Sequence, residues 1–258
     1  MTKLQFGLQL YSVRDHCQNK EDMLACLKTL KAMGYNVCQL AGQSADITPA
    51  EIRAMLDETG MECPAIHASY QRLCDDFDAC VEEFKTIGVK YIGIGMPGEY
   101  KSIEGVVKFA GEAGEIGAKL AKEGMKLMYH NHAHEFARFE QNGKTLEEML
   151  VENSDENLFF ELDLFWVQRG GANPIDWLRK LKGRMVTSHI KDMNGTTNSR
   201  NVIAPIGKGN LNFGAIIPAC DENDIQYVFI EQDNAVESDS FACVEYSLKT
   251  LKAMGGRF

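Results

Sequence analysis

Three histidines and one glutamate stand close together in residues 128–136, which read Met-Tyr-His-Asn-His-Ala-His-Glu-Phe. A largely apolar run leads into this segment and predicts a buried strand that ends at the first of these histidines. Imidazole and carboxylate groups are costly to bury, and they are common where a metal is bound or a proton is transferred. The segment therefore predicts one part of such a site, with the candidate residues His130, His132, His134 and Glu135.

Alternating elements along the chain predict how this segment is positioned. Short apolar runs predict eight strands, at residues 4–10, 36–40, 62–67, 90–94, 125–129, 158–162, 185–190 and 226–230. Amphipathic segments between them predict helices at residues 21–33, 49–59, 75–87, 102–123, 147–151, 174–181, 213–223 and 241–254. Eight strand–helix units favour an α/β fold, the (β/α)8 TIM barrel, with residues 1–258 as one domain. A doubly wound open sheet is the alternative, but no G-x-G-x-x-G fingerprint follows the first strand.

Polar residues at the predicted strand ends form one group, because the carboxyl ends of all barrel strands meet on one face. That face is where TIM-barrel enzymes carry out their chemistry. Five of the six histidines belong to the group. Its members are Gln9, Tyr11, His67, His130, His132, His134, Glu135, Glu161, Asp163, His189, Lys191, Asp192, Glu231, Gln232 and Asp233.

The alternation of side chains along a strand helps to choose among these neighbours. Glu161 and Asp163 fall on the same side of the sixth strand, and Asp163 lies nearer its end. His189 and Lys191 share a side of the seventh strand, and Glu231 is the first polar residue after the eighth. Carboxylates and imidazoles that leave open positions suit Mn²⁺, Co²⁺, Zn²⁺ or Mg²⁺. Mixed oxygen and nitrogen donors favour Mn²⁺ or Zn²⁺ over Ca²⁺.

The same residues also have structural explanations. A single histidine of residues 128–136 could equally be a solvated or core-packed ring, although the group as a whole favours function. Asp163 could cap the turn that follows it, and His67 could be a hydrogen-bonded barrel residue. Asp192, Asp233 and Lys191 fit ion pairs behind a site better than direct metal ligands.

Composition and charge exclude several classes of partner. The formal net charge of −10 and the absence of a basic cluster argue against a nucleic-acid partner. No signal-peptide pattern and no run long enough to cross a bilayer is present, which predicts a cytoplasmic protein without a membrane partner. The eight cysteines form no C-x-x-C pair, which favours reduced thiols over disulfides or a zinc ribbon.

In their order along the chain, these motifs resemble the sugar phosphate isomerase/epimerase family of the xylose-isomerase-like TIM barrel superfamily. The resemblance covers essentially the whole chain. It rests on residues 129–136, on Glu161-Leu-Asp163 with Trp166, on His-Ile-Lys-Asp at 189–192, on Glu-Gln-Asp at 231–233, and on residues 6–14 and 206–213.

The resemblance implies one divalent metal, with Mn²⁺ favoured and Zn²⁺, Co²⁺ or Mg²⁺ as alternatives. It implies metal ligands at Glu135, Asp163, His189 and Glu231, where Glu135 is favoured over His130 for the fifth strand. It implies acid–base roles for Glu231 and for Glu135 or His130. The substrate-binding residues that it implies are Gln9, His67, His132, Trp166 and Lys191.

The implied activity is isomerisation or epimerisation of a sugar or cyclitol through an enediolate, after proton abstraction next to a metal-bound carbonyl. A lyase or dehydratase acting on a keto-sugar, a 3-keto-glycoside or an inosose is the alternative with the same site. An AP-endonuclease-like phosphodiesterase and a non-catalytic sugar-binding barrel are less favoured. Homo-oligomer formation, which is common among such barrels, stays open.

Overall fold

The computed structural model of the chain describes residues 4–195, 201–234 and 239–258. Eight parallel strands in these residues close into a barrel, and helices cover its outside. The strands are β1 (Gln5–Gln9), β2 (Val37–Leu40), β3 (Glu62–His67), β4 (Tyr91–Ile94), β5 (Lys126–His130), β6 (Leu158–Asp163), β7 (Met185–Ile190) and β10 (Tyr227–Ile230), with a separate hairpin of β8 (Asp192–Gly195) and β9 (Asn201–Ala204). The predicted (β/α)8 barrel is confirmed.

Barrel closure places strands that are distant in sequence side by side. β1 pairs with β2 on one side and with β10 on the other, in the register Gln5↔Tyr227 to Leu8↔Ile230. β10 pairs in turn with β7, and the remaining strands follow in chain order. The carboxyl ends of β5, β6, β7 and β10 are therefore consecutive around the barrel mouth.

The helices begin and end at residues that satisfy exposed backbone groups. They are α1 (Lys20–Met33), α2 (Pro49–Thr59), α3 (Tyr70–Asp75), α4 (Phe77–Ile87), α5 (Ile103–Lys122), α6 (Leu146–Asn153), α7 (Leu164–Arg169), α8 (Pro174–Lys180), α9 (Phe213–Glu222) and α10 (Ser240–Ala253). In α2, Thr48 and Glu51 form a capping box, and Gly60 ends the helix in the left-handed conformation.

Two helical predictions differ from the structure. The helix predicted at residues 75–87 is interrupted at Asp76, which lies between α3 and α4. Helix α7 follows β6 directly and was not predicted, because its apolar residues continue the pattern of the strand. The connection that follows β7 contains the β8–β9 hairpin, and residues 196–200 within it lie outside the described residues.

The barrel interior changes from apolar to polar along the strands. Val37, Ala65 and Phe229 form a small apolar cluster in the barrel interior. Gly7 leaves room for this cluster, since a Cβ there would lie 3.0 Å from the ring of Phe229. Toward the carboxyl ends the buried side chains are polar and ionisable, so the chemistry of the chain is concentrated at that mouth. None of the described helices is both long enough and apolar enough to span a bilayer.

Candidate active site

Four side chains converge at the barrel mouth, and we call them the four-residue site. They are His130 at the end of β5, Asp163 at the end of β6, His189 in β7 and Glu231 directly after β10. One donor atom from each residue lies within 4.8 Å of the others, and all four residues are buried. Because their strands are consecutive in the barrel, closure of the sheet is what brings these residues together.

The donor atoms of the four-residue site fit a divalent metal. Oδ2 of Asp163 and Nε2 of His130 are both buried and lie 3.7 Å apart. Nε2 of His130 has no hydrogen-bond partner among the described residues, whereas Oδ2 of Asp163 forms an ion pair with Nζ of Lys191 at 3.0 Å. A buried polar atom without a partner destabilises a fold, and a cation at this place would satisfy Nε2 of His130. Two carboxylates with two imidazoles match Mn²⁺, Zn²⁺ or Co²⁺ better than Ca²⁺, which prefers oxygen donors alone.

The two imidazoles of the four-residue site differ in protonation. Burial lowers the pKa of His130 to about 4, so this ring is neutral near neutral pH and is ready to bind a metal. Burial also lowers the pKa of His189, but the Glu161 and Glu231 carboxylates outweigh that effect and raise this pKa to about 10. His189 is therefore an imidazolium in the protein without a metal, and metal binding releases its proton.

A hydrogen-bonded network inside the barrel orients His189. Its Nε2 lies 2.6 Å from Oε1 of Gln39, and its Nδ1 lies 2.9 Å from Oε2 of Glu231. Oε1 of Gln39 also accepts from Nε2 of Gln9 at 2.9 Å, while Nε2 of Gln39 donates to Oε1 of Glu161 at 2.8 Å. Because the Gln39 oxygen only accepts, Nε2 of His189 carries a proton and Nδ1 is the nitrogen left for a metal.

Glu161 is the buried carboxylate at the centre of this network. Oγ1 of Thr187 donates to its Oε1 at 2.6 Å, and Nε2 of His67 lies 2.6 Å from its Oε2. Burial alone would raise the pKa of Glu161, but His189 and His67 hold it well below the usual carboxyl value. Gly93 makes room for this contact, since a Cβ there would lie 2.5 Å from the ring of His67. Glu161 is thus ionised and paired with histidines.

The four-residue site opens into a cavity of about 330 Å³. Larger cavities, of about 610 Å³, 420 Å³ and 360 Å³, contain no member of the four-residue site. The donor chemistry, rather than the size of a cavity, therefore identifies the candidate active site. The residues that line the cavity of the site are Tyr11, Ala41, His67, His130, His132, Lys191, Glu231 and Asp233.

The structure brings most of the predicted residues to this cavity. Asp163, His189 and Glu231 meet as the sequence predicted, and His67, His132 and Lys191 line the cavity.

Gln9 and Trp166, which were predicted to bind substrate, do not line this cavity. Gln9 is completely buried, and its carboxamide donates to Gln39 within the barrel. Trp166 packs behind His132, with ring centroids 5.6 Å apart. Gln39 itself was missed, although a glutamine within the apolar run of β2 was a signal for it.

The structure does not bring Glu135, the ligand favoured for the fifth strand, into the four-residue site. Residues His134–Phe136 form a 3₁₀ turn that directs the Glu135 carboxylate away from the strand ends. Its Oε1 accepts from the hydroxyl of Tyr129 at 2.8 Å, and its Oε2 accepts from the backbone N–H of His132 at 2.9 Å. His130 takes the place that was predicted for Glu135.

Glu147 is a second carboxyl group buried on the far side of Glu135. It lies in the first turn of α6, is 0% exposed, and neither of its carboxylate oxygens has a hydrogen-bond partner among the described residues. Burial, and then the neighbouring Glu135 charge, raise the pKa of Glu147 well above its usual value. Above the usual carboxyl pKa of 4.5, the folded protein therefore keeps a proton that the unfolded chain releases, and this lowers stability as pH rises.

Glu147→Met is expected to raise the free energy of unfolding by about 1–3 kcal/mol, because it removes an unpartnered buried polar group. The gain should be larger at pH 8 than at pH 6, and urea denaturation at both values measures it. Glu152→Met is the control: Glu152 is exposed on the same helix, and this change should stay within about 0.5 kcal/mol. A loss of stability in Glu147→Met at both pH values would show that Glu147 has a stabilising partner.

Comparisons with known proteins agree with this architecture. A family model described as xylose isomerase-like TIM barrel matches residues 27–241. No curated protein matches the chain. Among solved structures, a sugar phosphate isomerase/epimerase from Parabacteroides distasonis has a TM-score of 0.81 and 23% sequence identity, and the match covers 98% of this chain and 94% of that chain.

Two further solved structures have a similar barrel. The probable 3-DHS dehydratase AsbF from Bacillus anthracis has a TM-score of 0.72 at 15% identity, covering 96% of this chain and 98% of that chain. The IOLI protein with a bound zinc atom has a TM-score of 0.69 at 16% identity, covering 96% of this chain and 97% of that chain. At these identities, the similarities establish the fold alone.

Proposed function

Because the chain belongs to the family of xylose isomerase-like TIM barrels, we propose that it is a metal-dependent isomerase or epimerase of a sugar or cyclitol. The observation that carries this proposal is the four-residue site, in which two carboxylates and two imidazoles converge beside a cavity. One of their buried donor atoms, Nε2 of His130, has no hydrogen-bond partner among the described residues. This arrangement supports metal chemistry on a small polar substrate.

We propose that His130, Asp163, His189 and Glu231 hold one divalent metal. When bound, the metal supplies Lewis acidity, which polarises a substrate carbonyl and stabilises the charge that develops beside it. Mn²⁺ is the proposed ion and Zn²⁺ the alternative, because the donors are mixed oxygen and nitrogen. The zinc atom in the IOLI protein supports a divalent ion in this fold.

In this proposal, Glu231 removes the proton from the carbon next to the carbonyl. Its carboxylate lines the cavity and is 7% exposed, so a substrate carbon can approach it. His67 and His132 line the same cavity and hold sugar hydroxyls. Glu135 positions His132 through the backbone N–H of that residue. Return of the proton to the opposite face gives epimerisation, and its transfer to the neighbouring carbon gives isomerisation.

Elimination from a keto-sugar is the second candidate function, because the same proton abstraction can expel a neighbouring substituent. One observation favours it: the cavity of about 610 Å³ shares His67 with the cavity of the four-residue site. That second cavity lies between α2 and α4, where Ile52 and Phe84 give it an apolar wall. It offers room for a substituent on the sugar.

Metal analysis followed by solvent-deuterium exchange tests the proposed function. The purified protein is expected to contain about one divalent ion per chain. In D₂O, at least one member of a panel of free sugars, phosphorylated sugars, 3-keto sugars and inososes should take up deuterium next to its carbonyl. Chelation should stop the exchange, and added Mn²⁺ or Zn²⁺ should restore it. A fully metal-loaded protein that exchanges none of the panel would contradict the proposal.

A further inference from the structure

Lys191 is almost completely enclosed, although lysine side chains usually reach solvent. The residue is 1% exposed, and its Nζ lies 2.9 Å from Oε2 of Glu231, 3.0 Å from Oδ2 of Asp163 and 3.0 Å from Oδ1 of Asp233. The ring of Trp166 lies on another side, with its centroid 5.2 Å from Nζ. An ammonium group is stable at such a place because the carboxylates around it compensate for the lost water.

Two of these three carboxylates belong to the four-residue site. The Asp163 oxygen beside Lys191 is Oδ2, the same atom that faces Nε2 of His130. The Glu231 oxygen beside Lys191 is Oε2, the same atom that contacts Nδ1 of His189. The ammonium group therefore uses oxygens that a metal would need, and two cations repel each other strongly at such short range.

We infer that Lys191 competes with the divalent metal for Asp163 and Glu231, an inference that rests on the metal binding of the proposed function. Without a metal, the ammonium group neutralises both carboxylates. Metal binding then requires that Nζ leave their oxygens. Asp233 is outside the four-residue site and contacts Nζ through both of its oxygens, at 3.0 Å and 3.1 Å. The contact between Asp233 and Lys191 is therefore compatible with a bound metal.

This competition has two consequences that can be measured separately. The affinity for metal is lower than the four donors alone would give, because binding includes the displacement of the ammonium group. The metal-free protein is more stable than it would be without the charge of Lys191, because the ammonium group neutralises carboxylates that otherwise repel each other. Removal of the lysine charge should therefore strengthen metal binding and make the stability of the protein depend on the metal.

Lys191→Met tests the competition, since methionine keeps an unbranched side chain and removes the charge. Metal is stripped from the full-length protein with a chelator, and Mn²⁺ or Zn²⁺ is then titrated in by calorimetry. Lys191→Met is expected to bind the metal about tenfold or more tightly than the wild type. Metal should also raise its melting temperature by more than that of the wild type. Lys249→Met is the control, because that side chain is 67% exposed and forms an ion pair with Glu245 on the same helix.

Asp233→Asn is expected to change the metal affinity in the opposite direction, toward weaker binding. Asparagine removes the charged partner that Lys191 keeps when a metal binds, while all members of the four-residue site stay in place. We expect the metal affinity of Asp233→Asn to fall several-fold, about threefold to tenfold. Because this variant keeps Lys191, it tests the competition between the lysine and the metal even if Lys191→Met fails to fold.

The outcomes separate this inference from the proposed function. Tighter binding by Lys191→Met, or folding of that variant only when metal is supplied, supports the competition. Equal or weaker binding by Lys191→Met, with a wild type that binds metal, overturns the competition and leaves the proposed function standing. Unchanged binding by Asp233→Asn also overturns it. No binding by either the wild type or Lys191→Met overturns both.

Discussion

Glu231→Gln is expected to lower turnover by about 10²- to 10⁴-fold, the range found when a general base is removed. Glutamine keeps the shape of the side chain, and its oxygen can still accept from His189 and Lys191, which contact Oε2 of Glu231 at 2.9 Å. The fold should therefore survive. Solvent-deuterium exchange into the substrate, measured at saturating metal, reports the missing proton abstraction directly.

Measurements at saturating metal distinguish the loss of the base from the loss of a metal ligand. Asp163→Asn removes the charge of a proposed ligand, so its loss of exchange should be largely recovered when metal is raised. Glu231→Gln should not recover, because added metal does not replace a proton acceptor. Glu245→Gln, on the exposed face of α10, is the control for the general effect of losing a carboxylate. If Glu231→Gln keeps about a tenth or more of wild-type exchange at saturating metal, a different residue is the base.

The barrel and the strand-end residues could be predicted because both depend on local patterns. Apolar runs that end in polar residues mark where strands stop, and parallel strands in a closed barrel must stop on one face. Asp163, His189 and Glu231 meet at that face as predicted. Asp192 was predicted to form an ion pair behind the site, but its carboxylate accepts from the backbone N–H groups of Gly207 and Gly209 at 2.8 Å and 2.9 Å.

Contacts that depend on loop conformation or on barrel closure could not be predicted. The 3₁₀ turn His134–Phe136 determines that His130, and not Glu135, lies in the four-residue site. A turn of this kind produces no periodic pattern in the sequence. Gln9, Gln39 and Glu161 looked like separate polar residues of strands that are far apart in the chain. They form one network because β1 and β2 are neighbours in the barrel and β6 faces them across its interior.

The enclosure of Lys191 has the same origin. Its side chain meets Asp163 from β6 and Glu231 from the end of β10, two strands that flank β7 in the barrel. The sequence predicted an ion pair behind the site for Lys191, but it did not indicate that the lysine and the proposed metal contact the same oxygens.

Glu161→Gln is expected to lower the free energy of unfolding by about 3–5 kcal/mol, the cost of removing one partner from a buried charge pair. The Glu161 carboxylate is completely buried. It accepts hydrogen bonds from Gln39, Thr187 and His67, and it also forms an ion pair with the imidazolium of His189. A neutral carboxamide cannot compensate that imidazolium, and its NH₂ group would meet other donors. We therefore expect the negative charge of Glu161 to stabilise the protonated ring of His189.

Urea denaturation of Glu161→Gln measures this cost, with Glu62→Gln as the control. Glu62 is exposed at the opposite end of the barrel, where its carboxylate accepts from the hydroxyl of Tyr227, so its change should stay within about 0.5 kcal/mol. A double-mutant cycle with His67→Gln should give a coupling of about 0.5–3 kcal/mol, as expected for residues in one buried network. A cost below about 1 kcal/mol for Glu161→Gln, without coupling to His67, would mean that the network is held by packing. Gln39 and Glu231, which contact the two ring nitrogens of His189, would then orient the ring without help from the Glu161 charge.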